Sequence, residues 1–378
     1  MLRVTVLESL AAVEAGAWDA LVGDHPFLRH GFLHGLEATH CLEPQGWYSQ
    51  HLVVYDGDAL CGALPLYLRD NSYGEFVFDW SWAEAYERAG GRYYPKLVSA
   101  IPFSPVTGPR LLIDPRHGQR ADIARLLIGT AVDAVESNEL SSFHCLFPAE
   151  SELAAFDDAR LMRRLGCQYH WFNHDYRDFD DFLASLNSKK RKQIKRERRI
   201  VAEQDVDIEV LTGADIDSEH WRVFHRFYCS TFERKWGEPR LTEAFFQTLE
   251  QRLPGSAVLI MARSGGRYVA GAFALKSDSV LYGRHWGCNA QFDNLHFELC
   301  YYQTIAYCIE HGLTKLDAGA QGEHKLARGF IPVSTWSTHW IREPGFRRAV
   351  GDFLKRERQA MELHMQELSA HVAFKAES

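Results

Sequence analysis

The chain has 378 residues, 46% hydrophobic and 13% aromatic, enough for two packed interiors and too apolar for a disordered polymer. A formal net charge of −8 argues against a protein that coats DNA or RNA over most of its surface, though it leaves room for a local basic patch. The eight cysteines are scattered, with no Cys-x-x-Cys pair and no zinc-type Cys/His spacing, so small buried thiols in a reducing cytosol are expected.

Residues 1–6 alternate like a strand and lack the basic and apolar regions of a signal peptide. The longest apolar runs, such as 257–262, are far too short to cross a bilayer. A cytoplasmic chain without a transmembrane segment is expected. Residues 51–57, 60–68 and 74–80 then read as three strands joined by turns. Residues 257–262, 268–275 and 280–286 repeat that pattern, with Ser264-Gly265-Gly266 as the first turn. Both meanders carry a Gly-Ala pair early in the middle strand. An internal duplication follows, with a break near 165–167 and domains at 1–165 and 166–378.

Within the second domain a strand is expected at 168–176, a helix at 180–204 and a strand at 206–211. Helices follow at 218–232 and 242–252. Residues 294–312 form a helix with Leu295, Leu299, Tyr302, Ile305, Ala306 and Ile309 on one face and Gly312 as its stop. A strand from Thr314, a strand at 335–341 and a closing helix at 345–372 complete an α/β, or α+β, mixed-sheet class.

Three segments carry chemistry. The first is Ser188-Lys189-Lys190-Arg191-Lys192-Gln193-Ile194-Lys195-Arg196-Glu197-Arg198-Arg199, a cationic helix that Ser188 would cap. Like charges three and four apart cost helix stability, which points to a phosphate partner met by Lys189 and Arg191. tRNA, a nucleotide-sugar, CoA and an anionic head group all qualify, as does a merely solvated helix. The second segment, Gly283-Arg284-His285-Trp286-Gly287, ends a strand, and Glu298 opens the next helix. His285 and Glu298 form a candidate base and orienting carboxylate, and Arg284 is a candidate donor or anion ligand. Their structural alternative is a core histidine and a carboxylate at a helix start.

The third segment runs from Leu316 to Phe330. A short strand enters a loop with Gly319 and Gly322, where main-chain N–H groups can cradle an anion. Glu323 and His324 are candidate acid–base groups, and Lys325 and Arg328 candidate anion ligands, although the same charges would suit a wet helix face. Arg110, at the end of the rigid Pro102-Phe103-Ser104-Pro105-Val106-Thr107-Gly108-Pro109 loop, is a further anion ligand or part of a connector. P-loop, nucleophile-elbow and dinucleotide motifs are absent from the sequence.

Several long segments resemble one family. They include His25-Pro26-Phe27-Leu28, Gly62-Ala63-Leu64-Pro65-Leu66-Tyr67, and Ser72-Tyr73-Gly74-Glu75-Phe76-Val77-Phe78-Asp79-Trp80. Others are Pro102 through Leu112, Tyr282-Gly283-Arg284-His285-Trp286-Gly287, Leu295-His296-Phe297-Glu298-Leu299-Cys300-Tyr301-Tyr302, and Gly319 through Phe330. Together they resemble the bacterial FemAB-like N-acyltransferases, a branch of the GNAT superfamily labelled as peptidoglycan biosynthesis or recognition proteins. The resemblance implies two GNAT-like domains in tandem, as in Fem-type aminoacyltransferases. Asp317-x-Gly319 and Lys325-x-x-Arg328-Gly329-Phe330 resemble the final-strand region of those enzymes, and the helix at Lys189 resembles the segment before their second central strand. The usual GNAT pyrophosphate loop, Gln/Arg-x-x-Gly-x-Gly/Ala, is absent, so acyl-CoA and aminoacyl-tRNA both remain as donors.

The expected activity is transfer of an acyl or aminoacyl group to an amine, on a small molecule, a peptide or a cell-wall precursor. Strand amides near residues 282–284 would stabilise the oxyanion. No metal, no tightly bound cofactor and no DNA partner are expected, while tRNA stands as a candidate partner. The alternative is a non-catalytic recognition protein that binds a peptidoglycan precursor or RNA.

Overall fold

Apolar alternation and turn chemistry resolve into fifteen strands in the computed structural model, which describes residues 1–233, 237–320 and 322–375. The chain divides into two compact units. One holds Met1–Cys167 and Ser334–Leu363, and the other Gln168–Val333 and the segment from His364 onward. The ranges 1–165 and 166–378 therefore differ from these units chiefly over Ser334–Leu363, which groups with the N-terminal residues.

In the first unit, β1 (Leu2–Leu7), β3 (His51–Asp56), β4 (Ala59–Leu64) and β7 (Leu112–Ile113) form an antiparallel sheet in the order β1-β3-β4-β7. The helix Arg120–Ser137 buries Ile123, Leu127, Ile128, Ala131 and Val135 in the core beneath it. β2 (Trp47–Ser49), β5 (Tyr67–Arg69), β6 (Lys96–Ser99) and β8 (Ser142–Leu146) pair in the order β2-β5-β6-β8, with β6 and β8 parallel.

A third meander strand was expected at 74–80. The chain instead turns there, with Gly74 and Phe76 at φ of 84° and 61°, and enters the helix Trp80–Arg88. The reason is electrostatic. Glu75 and Asp79 turn inward to the buried ammonium of Lys96, at 2.8 and 2.5 Å, and Ser72 accepts its third proton at 2.7 Å. Arg69, fully buried, bonds Glu75 at 3.2 Å and spends its other N–H groups on Gln45, Gly46, Asn71 and Tyr73. Burial alone would raise the Asp79 carboxyl; Lys96 and His144 outweigh it and hold it well below the carboxylate range. Arg110 does not reach an anion site. Its guanidinium is buried and donates to the carbonyls of Val106, Gly108, Pro109 and Leu146.

The strand β9 (Met162–Phe172) runs across the unit boundary, as does β15 (Ile331–Ile341). In the second unit β9 is followed by β10 (Asp207–Thr212), β11 (Ala257–Ser264), β12 (Arg267–Lys276), β13 (Val280–Cys288) and β14 (Lys315–Asp317). The sheet order is β10-β11-β12-β13-β14-β9, antiparallel except where β14 lies parallel to β13. The meander expected at 257–286 is thus present. The helix Ser218–Glu233 packs on it through Trp221, Phe224 and Phe227. At Gly287 a Cβ would fall 2.0 Å from the Phe227 carbonyl oxygen, so only glycine permits this approach.

The helix expected at 180–204 is two helices, Phe179–Ser185 and Ser188–Ala202, because the main chain at Leu186 and Asn187 turns extended and bonds the C-terminal segment instead. Asn187 N–H donates to Ala373 at 2.9 Å, and Lys375 N–H to Ser185 at 3.2 Å. Asn187, not Ser188, caps the basic helix, accepting from Lys190 N–H at 3.0 Å.

Replacing Lys96 by methionine removes the cation between Glu75 and Asp79. We expect a loss of about 3–5 kcal/mol in urea unfolding, since breaking a buried pair leaves an uncompensated charge. A cost within error of zero would show that both carboxyls are held neutral.

Candidate active site

β14 ends in a buried carboxylate, Asp317. Its partner comes from β13 by a β-bulge: Ala274 pairs with Gly283 and Phe273 with His285, so Arg284 is the extra residue. Freed from the ladder, Arg284 turns to Asp317 in a two-pronged ion pair, with both N–O distances 3.2 Å. Gly319 N–H adds a bond to the same carboxylate at 3.0 Å, and His170 stands 3.8 Å away. Burial works to raise the Asp317 carboxyl, but Arg284, His170 and these hydrogen bonds hold it well below the usual range.

β14 pairs with β13 only over Val280–Tyr282. Farther along β13, Thr231 and Ser230 donate hydroxyls to the Trp286 and Cys288 carbonyls, at 2.8 and 3.1 Å. The stretch between, Gly283 to His285, opens onto a cavity of about 110 Å³. Ala318, Tyr301, His296 and Cys300 form other parts of its wall. His285 belongs to it too, its ring against Tyr228 at 4.8 Å and parallel to Phe273; burial, with Arg284 and Arg240, pushes its pKa down to about 3.

The turn after the glycine loop is the short 3₁₀ helix Glu323–Arg328. Gly322 has φ of 111°, and a Cβ there would meet the His324 ring at 2.5 Å. Glycine therefore lets that imidazole fold back, where its Nε2 bonds the Tyr301 hydroxyl at 2.8 Å. The ring remains exposed on its other side, yet burial, Arg328 and Lys325 all lower its pKa. Neutral imidazole and phenol thus form a linked pair, with the Tyr301 hydroxyl raised above its ordinary range by burial. Lys325 is buried and donates to the carbonyls of Ala318 and Gly319, at 2.8 and 2.7 Å. Burial brings its pKa down to about 8, against the opposing pull of Asp317.

These contacts correct several expectations. The glycine loop does not offer its Gly319 amide to a donor, because Asp317 takes it and Lys325 holds the loop by its carbonyls. Gln321, inside that loop, lies outside the described residues. Arg328 is committed to Glu197, with two N–O distances of 2.9 Å, and to Tyr302 and the Phe297 ring. Arg284 is committed to Asp317. Glu323 is exposed and outside the cavity wall.

His285 and Glu298 do not form a pair. A π-helical turn, Glu298–Tyr302, interrupts the expected 294–312 helix, and it sends Glu298 and Tyr302 toward the basic helix while Cys300 and Tyr301 face the cavity. Glu298 bonds Arg198 at 3.2 Å and Gln303 at 2.8 Å. Lys189 is exposed and Arg191 half-buried on the basic helix. Tyr301, Asp317 and Glu197 were not singled out as site residues. The tandem Tyr301-Tyr302 at a glutamate-led helix start was the available signal for the first.

The chain belongs to the FemAB-like family, described as peptidoglycan biosynthesis/recognition, whose model matches residues 9–376. No curated protein sequence matches it. Among solved structures it is similar to FemX, at 13% identity and a TM-score of 0.56, over 90% of this chain and 98% of that one. A conserved protein of unknown function from Bacteroides thetaiotaomicron VPI-5482 is similar at 12% identity and 0.53, over 90% and 100%. A tandem GNAT protein from the clavulanic acid biosynthesis pathway aligns at 14% identity and 0.49, over 91% and 99%. The fold is the expected mixed α/β one, and the chain divides into two compact units. Among the described residues no helix is long and apolar enough to cross a membrane.

The Lys325 pKa carries a pH signature. Below about pH 8 both folded and unfolded chains hold the proton; between about 8 and the 10.4 of a free lysine only the unfolded chain does. Stability relative to a Lys325→Met variant should therefore rise across that window. Urea midpoints at pH 7, 9 and 10 measure it, and a constant difference would place the lysine at its ordinary value.

Proposed function

We propose that this chain is an N-acyltransferase that moves an acyl or aminoacyl group from an activated donor to an amine of a cell-wall precursor. The observation that carries the reading is the gap between β13 and β14, walled by Tyr301 with His324 behind it. The donor carbonyl enters that gap. The attacking amine must be neutral, and it forms the new C–N bond as the C–S or C–O bond to the donor breaks. Main-chain N–H groups of the uncovered stretch from Gly283 to His285 are the candidate oxyanion donors. The Tyr301 hydroxyl delivers a proton to the leaving group, and His324, kept neutral, takes the proton the amine loses and passes one back to the Tyr301 oxygen along their 2.8 Å bond, so both groups end as they began. Lys325 and the Arg284–Asp317 pair act through position, fixing the loop that carries Ala318.

Tyr301→Phe keeps the ring and removes the proton path. Its kcat should fall about 10²–10⁴-fold at an unchanged melting temperature. An unchanged kcat would remove the tyrosine–histidine pair from the mechanism. If no donor is consumed by the parent chain, the recognition reading replaces catalysis.

For the donor we favour aminoacyl-tRNA over acyl-CoA. Among the described residues, Lys195, Arg198 and Arg199 of the basic helix have carboxylate partners, in Asp180, Glu298 and Glu203. Lys189, Lys190, Arg191, Lys192 and Arg196 form no ion pair there; Lys189, Lys192 and Arg196 are exposed and present a cationic face to solvent, with Lys190 and Arg191 half-buried beside it. Such a face suits a polyphosphate backbone. Lys189→Ala and Arg191→Ala should each reduce the slope of log K against log salt for tRNA by about one. A slope near zero in the parent chain would exclude tRNA from this face.

A further inference from the structure

The cavity beside Tyr301 is small, and its described ionisable groups are cationic or neutral. Its volume of about 110 Å³ is smaller than the ~150 Å³ cavity that accepts a benzene ring. Ile260 on β11, Ala272 and Ala274 on β12, and Trp286 on β13 make its floor and sides. Ala272 and Ala274 contribute only methyl side chains to it. Among the described residues, the ionisable groups on the wall are Arg284, His285, His296, Cys300 and Tyr301, with no aspartate or glutamate. The nearby carboxylates are already engaged, Asp317 by Arg284 and Glu298 by Arg198. Among the described residues an ammonium carried into this space would meet no unengaged carboxylate, and burying an unpaired charge is strongly disfavoured.

From this size and lining we infer that, if acyl transfer occurs here, the cavity seats the donor's acyl group and selects a short one with an uncharged side chain. About five non-hydrogen atoms fit, as in an alanyl or butyryl group. A lysyl group is larger and ends in an ammonium. The distinction is chemical as well as steric: an α-amino group, with a pKa near 8, enters neutral at small cost, whereas an ε-ammonium near 10.4 does not.

The test needs no acceptor. Stable 3′-amide analogues of alanyl- and lysyl-adenosine, together with butyryl- and octanoyl-CoA, are titrated against the full chain by calorimetry. The short member of at least one series should bind at least ~10-fold tighter than its long or charged partner, and the series that binds identifies the donor. In a folded Ala272→Leu variant the short member should lose that advantage, while Ala272→Asp should recover lysyl binding. Equal or tighter binding of the lysyl and octanoyl members to the parent chain would overturn the selection while leaving acyl transfer in place. Binding by neither series would remove the donor site, and the acyltransferase reading with it. The parent chain's own preference decides the matter if the variants fail to fold.

Discussion

The buried ion pair between Arg284 and Asp317 is the constraint on which the candidate site depends. It forms only because a bulge gives β13 one residue more than β12 can match. The same pair terminates β14, since the carboxylate also takes Gly319 N–H and turns the chain out of the sheet. Ending β14 at Asp317 is what leaves the next part of β13 uncovered. The gap, its cavity and the course of the following loop are thus consequences of one desolvated charge that needed a partner.

Buried charge organises both units in this way. In the first, Lys96 gathers Ser72, Glu75 and Asp79, and the loop that carries them gives up an extended path to do so. In the second, Glu197 faces inward from the basic helix and is met by Arg328 and Tyr302. Each buried group is shared among several donors, and this saturation allows a charge to sit in a low-dielectric interior.

The basic helix illustrates two uses of one amphipathic element. Ile194, Glu197 and Val201 form its buried stripe, with Arg198 reaching Glu298 at the edge. The opposite side keeps its lysines and arginines in solvent. A helix that carries so many like charges needs this inner anchoring, because propensity alone would not hold it against repulsion. The site's histidine, by contrast, is placed by absence of a side chain: Gly322 leaves the space into which the His324 ring returns to Tyr301.

Much of this architecture was legible in the order of residues. The meander at 257–286, the helix at 218–232 and the strand before the glycine loop follow from alternation, helical spacing and turn residues, which act over a few positions. The segment 316–330 also announced itself, since glycines beside an acid, an imidazole and two cations have few structural uses. Which of those groups face a ligand was another matter. Lys325 and Arg328 read as free cations, yet both are consumed internally, by loop carbonyls and by Glu197, a residue 131 positions from Arg328. His285 and Glu298 read as neighbours, and a π turn parts them. Local pattern determines which elements form, because its physics is short-ranged. Only the tertiary fold decides which charges are desolvated together, and hence which are spent on stability and which remain for chemistry.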